Sequence, residues 1–296
     1  MTQEATSHLP IVILGTGYTG RHLYALLTRT GRSLLATSRN PLANLKFVPD
    51  RFRLQFDLNN PAEWSNLPDR ADIIWCFPAY PIESVQRFAE YLRPRVRRLV
   101  VLGSTSAYDV ARTSTDYPPP WMDETASIDL SRPRVQGEEF LRQNCDAILL
   151  RVAGIYGPGR NPLSWISSGK VGPSRKYVNL IHVEDLAAIC LAALERGIPG
   201  EVYNVSDGIP RTWDDICRAA IECWGVTAHR TPLDQRPGKC IAIRKLRDQI
   251  GYRFRHPDFF AALAQLTAPR NQPDQPYSPS RDPADSSERQ SSSHSH

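Results

Sequence analysis

The chain has 296 residues, 41% of them hydrophobic and 23% charged, with a formal net charge of +5 at neutral pH. That balance excludes a disordered chain and fits a soluble globular protein large enough for two unequal lobes. No segment approaches the roughly 18 apolar residues of a membrane span, and the first ten residues lack the basic and apolar regions of a secretory signal. A cytoplasmic protein is expected. The basic residues lack the interleaved aromatics of a nucleic-acid module, so nucleic acid is not an expected partner. Their densest run, Arg93, Arg95, Arg97 and Arg98, reads as a solvated helix end. The six cysteines form no C-x-x-C and are expected to be buried thiols, with no metal site.

The wholly apolar Ile11-Val12-Ile13-Leu14 predicts a strand buried on both faces. Arg21 to Arg29 predicts a helix, followed by strands over Ser33–Thr37, Phe52–Phe56 and Asp72–Phe77. A helix over Pro81–Tyr91, a strand over Leu99–Leu102, a helix over Arg134–Gln143 and a strand over Ala147–Val152 complete the first half. Strands alternating with helices predict an α/β fold, a Rossmann-type doubly wound parallel sheet. After Gly157-Pro158-Gly159 the pattern becomes irregular, with helices clearest over Asp185–Glu195 and Thr212–Trp224. The expected division is an N-terminal extension over 1–10, a dinucleotide-binding domain over 11–156 that recruits elements from 178–205, a smaller C-terminal substrate-side lobe over 157–266, and a disordered tail over 267–296.

Gly15-Thr16-Gly17-Tyr18-Thr19-Gly20 is a G-x-G-x-x-G placed between a buried strand and a helix, the context that makes the pattern meaningful. Gly15 permits the tight turn, Gly17 the approach of a pyrophosphate, and Gly20 close helix–strand packing, while the helix N-terminus faces the phosphate charge. The second strand ends Thr37-Ser38-Arg39-Asn40, without the carboxylate that accepts from the ribose 2′-hydroxyl of NAD. Ser38 and Arg39 suit a 2′-phosphate instead, which predicts NADP(H) over NAD(H). Asp57 and Leu58, closing the third strand, are placed to border the adenine, although a structural turn explains Asp57 nearly as well.

Several further segments carry a family resemblance together: Leu102-Gly103-Ser104-Thr105-Ser106-Ala107-Tyr108, Leu150-Arg151 through Tyr156-Gly157-Pro158-Gly159, Ile181-His182-Val183-Glu184-Asp185-Leu186, and Val202-Tyr203-Asn204-Val205. From Ile11 to about Leu263 the chain resembles the extended short-chain dehydrogenase/reductases with their NAD-dependent epimerase/dehydratase domain. Residues 151–160 and 178–185 look closest to the atypical YeeZ-like branch.

The resemblance implies that Ser104 hydrogen-bonds the reacting oxygen. It also implies a Tyr-x-x-x-Lys pair on the next helix, in which a cation brings the tyrosine toward neutral acidity. Here the tyrosine position falls on Leu130 and the lysine position on Arg134, and no lysine lies between Lys46 and Lys170. Arg134 retains a positive charge, so the expected catalytic set is Ser104 and Arg134 with Tyr108 or Tyr156 as substitute acid, or an ordered water. Asp123-Glu124 and His182 are weaker acid–base candidates, better read as structural, and Asp185 as an early acidic residue of its helix. The second-lobe cations Arg160, Lys170, Arg175, Lys176, Arg236 and Lys239 fall where the family holds substrate phosphates, though surface charge explains most of them equally well.

The leading expectation is an NADP-dependent oxidoreductase or epimerase-like enzyme acting on a small polar substrate such as a sugar nucleotide. The expected partners are that small molecule and, at most, a second copy of the chain. The alternatives are a non-catalytic NADP(H)-binding sensor or scaffold that lost its proton relay, and an interaction module using the basic C-terminal region.

Overall fold

A computed structural model describes residues 9–110, 116–228 and 237–268. Its centre is a parallel sheet of seven strands: β1 (Ile11–Leu14), β2 (Leu34–Ser38), β3 (Arg53–Gln55), β4 (Ala71–Trp75), β5 (Val96–Ser104), β6 (Ile148–Val152) and β7 (Val202–Val205). Their order across the sheet is β3-β2-β1-β4-β5-β6-β7, every neighbouring pair parallel. Chain direction across the sheet reverses between β1 and β4, the crevice where open α/β sheets bind ligands.

The alternation of side chains along a strand divides the core in two. Ile11 and Ile13 of β1 pack with Leu23 and Leu27 of α1 (Tyr18–Leu27) and with Ile189 of α4 (Val183–Arg196). Val12 and Leu14 face the other way, toward Val85, Phe88 and Leu92 of α2 (Ile82–Leu92) and Leu141 of α3 (Pro133–Asn144). Gly137 brings α3 against the loop after β4, where an added Cβ would lie 1.9 Å from the Ala79 carbonyl oxygen. A third core, with Tyr156, Leu163, Ile166 and Leu180, joins α5 (Trp213–Trp224) and α6 (Phe259–Thr267) into the smaller lobe.

The strands and helices expected from the sequence are present, with three corrections. β5 begins at Val96, so only Arg93 and Arg95 flank a helix end. Arg97 instead forks onto the buried Asp72 at 2.8 and 2.5 Å, shared with Arg32 at 2.7 Å, and Arg98 donates to the Ala193 and Gly197 carbonyls at the end of α4. Helix α6 was not expected, although Asp258 caps it by accepting from Phe260 and Ala261 N–H. Cys223 is exposed, and Cys76 and Cys145 are half-buried. No described helix is long and apolar enough to cross a membrane.

Candidate functional site

The glycine loop leaves β1 at the crevice and enters α1 at Gly17. Gly15 is left-handed (φ 81°), and a Cβ there would lie 2.6 Å from the Phe77 ring. A Cβ on Gly20 would lie 2.8 Å from the Gly15 carbonyl oxygen, which fixes the close approach of α1 to the loop. Nothing lies within 4 Å of a Cβ on Gly17, so the middle glycine faces open space. Thr37 ties the loop to β2, its hydroxyl accepting from Gly15 N–H (2.9 Å) and its carbonyl from Thr16 N–H (3.0 Å). The Thr16 hydroxyl is buried and makes no hydrogen bond among the described residues, and the first turn of α1 carries no acidic residue. Thr19 is buried beneath this turn, and the Tyr18 ring lies under the Arg160 guanidinium, 4.3 Å away. An open approach, an unused hydroxyl and an unneutralised helix N-terminus fit a dinucleotide pyrophosphate.

At the end of β2, the Ser38 hydroxyl accepts from Asn40 N–H (3.1 Å) and the Asn44 side chain (3.0 Å), keeping its own proton to donate. Arg39 beside it is exposed and engages no partner among the described residues. After β3, Asp57 closes a turn by accepting from Asn59 N–H at 2.9 Å, and Leu58 is buried.

The residues expected to carry chemistry are not all brought together. Ser104 ends β5 and accepts from Ser106 N–H at 3.1 Å, leaving its hydroxyl proton to donate. Arg134 donates to the buried Glu138 at 2.5 Å and to the Leu102 carbonyl at 3.1 Å, two residues before Ser104. Leu130, at the family's tyrosine position, is exposed. Tyr108 is buried, donating to Asn204 at 2.7 Å and accepting from Arg151 at 3.0 Å, and burial pushes its hydroxyl up in pKa. Tyr156 lies in the small-lobe core, edge-on to His182 and Phe259, where burial raises its hydroxyl in pKa and it makes no hydrogen bond among the described residues.

The weaker candidates are structural in geometry. Asp123 accepts from Thr125, and Glu124 accepts from Asn204 N–H on the outer strand β7. His182 caps α4, Nδ1 accepting from Glu184 N–H at 3.3 Å, which places the neutral ring's proton on Nε2. Glu184 pairs with His256 at 2.9 Å, and these three side chains lie close enough to suggest a cation site. The proton on His182 Nε2 opposes ligation there. Asp185 is buried and binds the incoming C-terminal segment through Tyr252, Arg255 N–H and His256 N–H.

Beyond the ends of β5 and β6 opens a cleft of about 720 Å3, bordered by Thr105, Gly154, Trp165 and Trp213. Four of its described lining residues are cationic (Arg132, Lys170, Lys176, Lys239) and one, Asp109, is anionic. Arg175 instead stacks on Tyr117 at 3.8 Å, and Arg236 lies outside the described residues. Lys239 reaches back to the end of β5, donating to the Thr105 carbonyl at 2.7 Å and to the Asp109 carboxylate. Separation explains why this pair escapes sequence reasoning: its members stand 130 positions apart.

This sheet order, glycine loop and cleft decide the architecture. The fold is the one shared by solved NAD-dependent epimerase/dehydratase and short-chain dehydrogenase/reductase structures. No family model matches the chain. Protein YeeZ of Escherichia coli K12 is 26% identical over 183 residues, covering 60% of this chain and 65% of that protein, so the match spans less than two thirds of the relative. It supports the YeeZ-like resemblance. A Methylobacillus flagellatus structure described as an NAD-dependent epimerase/dehydratase has a TM-score of 0.70 and 23% identity, covering 88% of this chain and 98% of its own. The Bordetella bronchiseptica enzyme WbmG, solved with NAD and UDP, has a TM-score of 0.69 and 18% identity, with 88% and 94% covered.

Proposed function

We propose that the chain is an NADP(H)-dependent oxidoreductase or epimerase-like enzyme that binds a small polar substrate, such as a sugar nucleotide, in the 720 Å3 cleft. The observation that carries this reading is the open space at Gly17 between two glycines that have no room for a side chain. WbmG was solved with NAD; the choice of NADP(H) here rests on Ser38 and Arg39. The Ser38 hydroxyl and the Arg39 guanidinium donate to a 2′-phosphate that a carboxylate at this position would repel.

When bound, the dinucleotide supplies or accepts hydride. The Ser104 hydroxyl donates a hydrogen bond to the reacting oxygen and orients it. Arg134 acts through β5 as a positioning residue, holding the Leu102 carbonyl while Glu138 holds its guanidinium. Tyr108 and Tyr156 serve packing, because one hydroxyl is committed on both sides and the other sits in an apolar core. The cationic lining of the cleft favours an anionic substrate.

The test is NADPH consumption against a panel of ketones and nucleotide sugars, with dinucleotide affinity measured in parallel. Turnover with at least one substrate supports the enzyme. The exposed Leu130 in place of a proton donor favours a second reading, a dinucleotide-binding sensor, which tight NADPH binding without turnover would support.

A further inference from the structure

We propose that Lys239 is the proton donor to the substrate oxygen, replacing from the second lobe the acid that the Tyr-x-x-x-Lys positions lack; this rests on the dinucleotide-dependent reading above. Its ammonium has three N–H donors. One goes to the Thr105 carbonyl, the residue after Ser104, and one to Asp109, leaving the third for the cleft that Lys239 lines. The side chain is only 18% exposed, so its position is held.

The backbone at Lys239 is equally fixed. Tyr177 N–H donates to the Pro237 carbonyl at 2.9 Å, Asn179 donates to the Lys239 carbonyl at 2.8 Å, and Asn179 accepts from Ile241 N–H at 3.0 Å. Gly238 between them is left-handed (φ 79°), and an added Cβ would lie 2.2 Å from the Tyr177 carbonyl oxygen. Only glycine lets this segment press against the small lobe and aim Lys239 at the end of β5.

The charges facing the amine suit an acid. Burial pushes Lys239 down from its ordinary value, Asp109 opposes that shift, and Arg132 and Lys176 reinforce it. Asp109 is itself shared with Arg132 at 3.8 Å. In the reductive direction the carbonyl carbon gains hydride, a proton with two electrons, from a reduced nicotinamide. The C=O π pair moves onto oxygen, which bonds the proton leaving Nζ, and the N–H electrons remain on the amine. Cleft water then reprotonates the amine. In the oxidative direction the neutral amine takes the alcohol proton. Asp109 is a positioning residue that keeps Nζ at the reacting oxygen.

The test combines chemical labelling with turnover, using the full chain. Competitive acetylation across pH, read by mass spectrometry, should show Lys239 titrating at lower pH than in the urea-denatured chain, and lower still in Asp109→Asn. Lys239→Met should lower turnover about 10²–10⁴-fold while NADPH affinity stays unchanged. Lys239→Arg should not restore it, because a guanidinium keeps the charge but does not release its proton. Lys239 titrating as in the denatured chain overturns the proposal even without a known substrate, and so does a Lys239→Met enzyme within a few-fold of wild type. Wild-type protein that fails to bind NADPH defeats the reading of the whole site and removes the reaction Lys239 would serve; that outcome is distinguished by the affinity measurement alone.

Discussion

The Tyr108 hydroxyl accepts a hydrogen bond from the buried Arg151 guanidinium at 3.0 Å, across 43 residues of chain. The same hydroxyl donates to Asn204 on β7, and Arg151 continues to Glu139 on α3 at 2.8 Å. One polar chain therefore ties the loop after β5, strands β6 and β7, and helix α3 together inside the core. Tyr108→Phe leaves a donor on Arg151 and an acceptor on Asn204 without partners. We expect a stability loss of about 1–3 kcal/mol with NADPH affinity unchanged. Urea denaturation beside a fluorescence titration measures both, and an unchanged stability would show that the chain of bonds is dispensable.

The glycine loop separates folding from binding. Gly17→Ala should unfold at the wild-type urea midpoint, because its Cβ meets nothing, yet lose dinucleotide affinity because the methyl occupies the pyrophosphate approach. Gly15→Ala combines a left-handed backbone with the Phe77 ring and should be destabilised by more than about 1 kcal/mol. Equal stability of the two variants, or unimpaired binding by Gly17→Ala, would contradict this division of roles.

Those contrasts track what was legible in the sequence. The strand Ile11–Leu14, the glycine loop and the Leu23–Leu27 stripe are contiguous, so local periodicity and spacing suffice to read them. Arg97 and Arg98 misled because their partners, Asp72 and the end of α4, are remote in sequence and turn a basic run into strand residues. Asp185 does sit in the first turn of α4 as expected, but the uptake of its carboxylate by Tyr252, Arg255 and His256, some 70 residues on, has no local sequence signal. Tyr108 and Tyr156 stood in the sequence as substitute acids, and what decides against that role, their burial, is a tertiary property. Lys239 was visible as a second-lobe cation, but no local pattern joins it to Asp109, 130 positions away.

Acid should weaken the fold through the contact between α1, α4 and the C-terminal segment. Burial, reinforced by the adjacent His256, pushes the His182 imidazole down to about 4. The unfolded chain, with a histidine near 6.5, then binds more protons below that pH, so stability is complete above about 6.5 and falls as pH drops toward 4. The full loss is about 3 kcal/mol, and His22, also lowered by burial, adds to it with the same sign. Denaturation midpoints at pH 7.5 and 5.0 test this. His182→Asn keeps an N-cap acceptor and should flatten the slope, whereas a slope equal to wild type would exclude His182 as its source.

Calorimetric titration of NADPH and NADH into wild type and Arg39→Ala measures the dinucleotide preference itself. One charge-assisted contact from Arg39 to a 2′-phosphate is worth roughly 1.5–3 kcal/mol, or about ten- to hundredfold in affinity. Wild type should bind NADPH more tightly than NADH by that margin, and Arg39→Ala should lose the preference while still binding NADH as wild type does. Equal affinities in wild type, a preference that survives Arg39→Ala, or no binding of either dinucleotide would contradict the account.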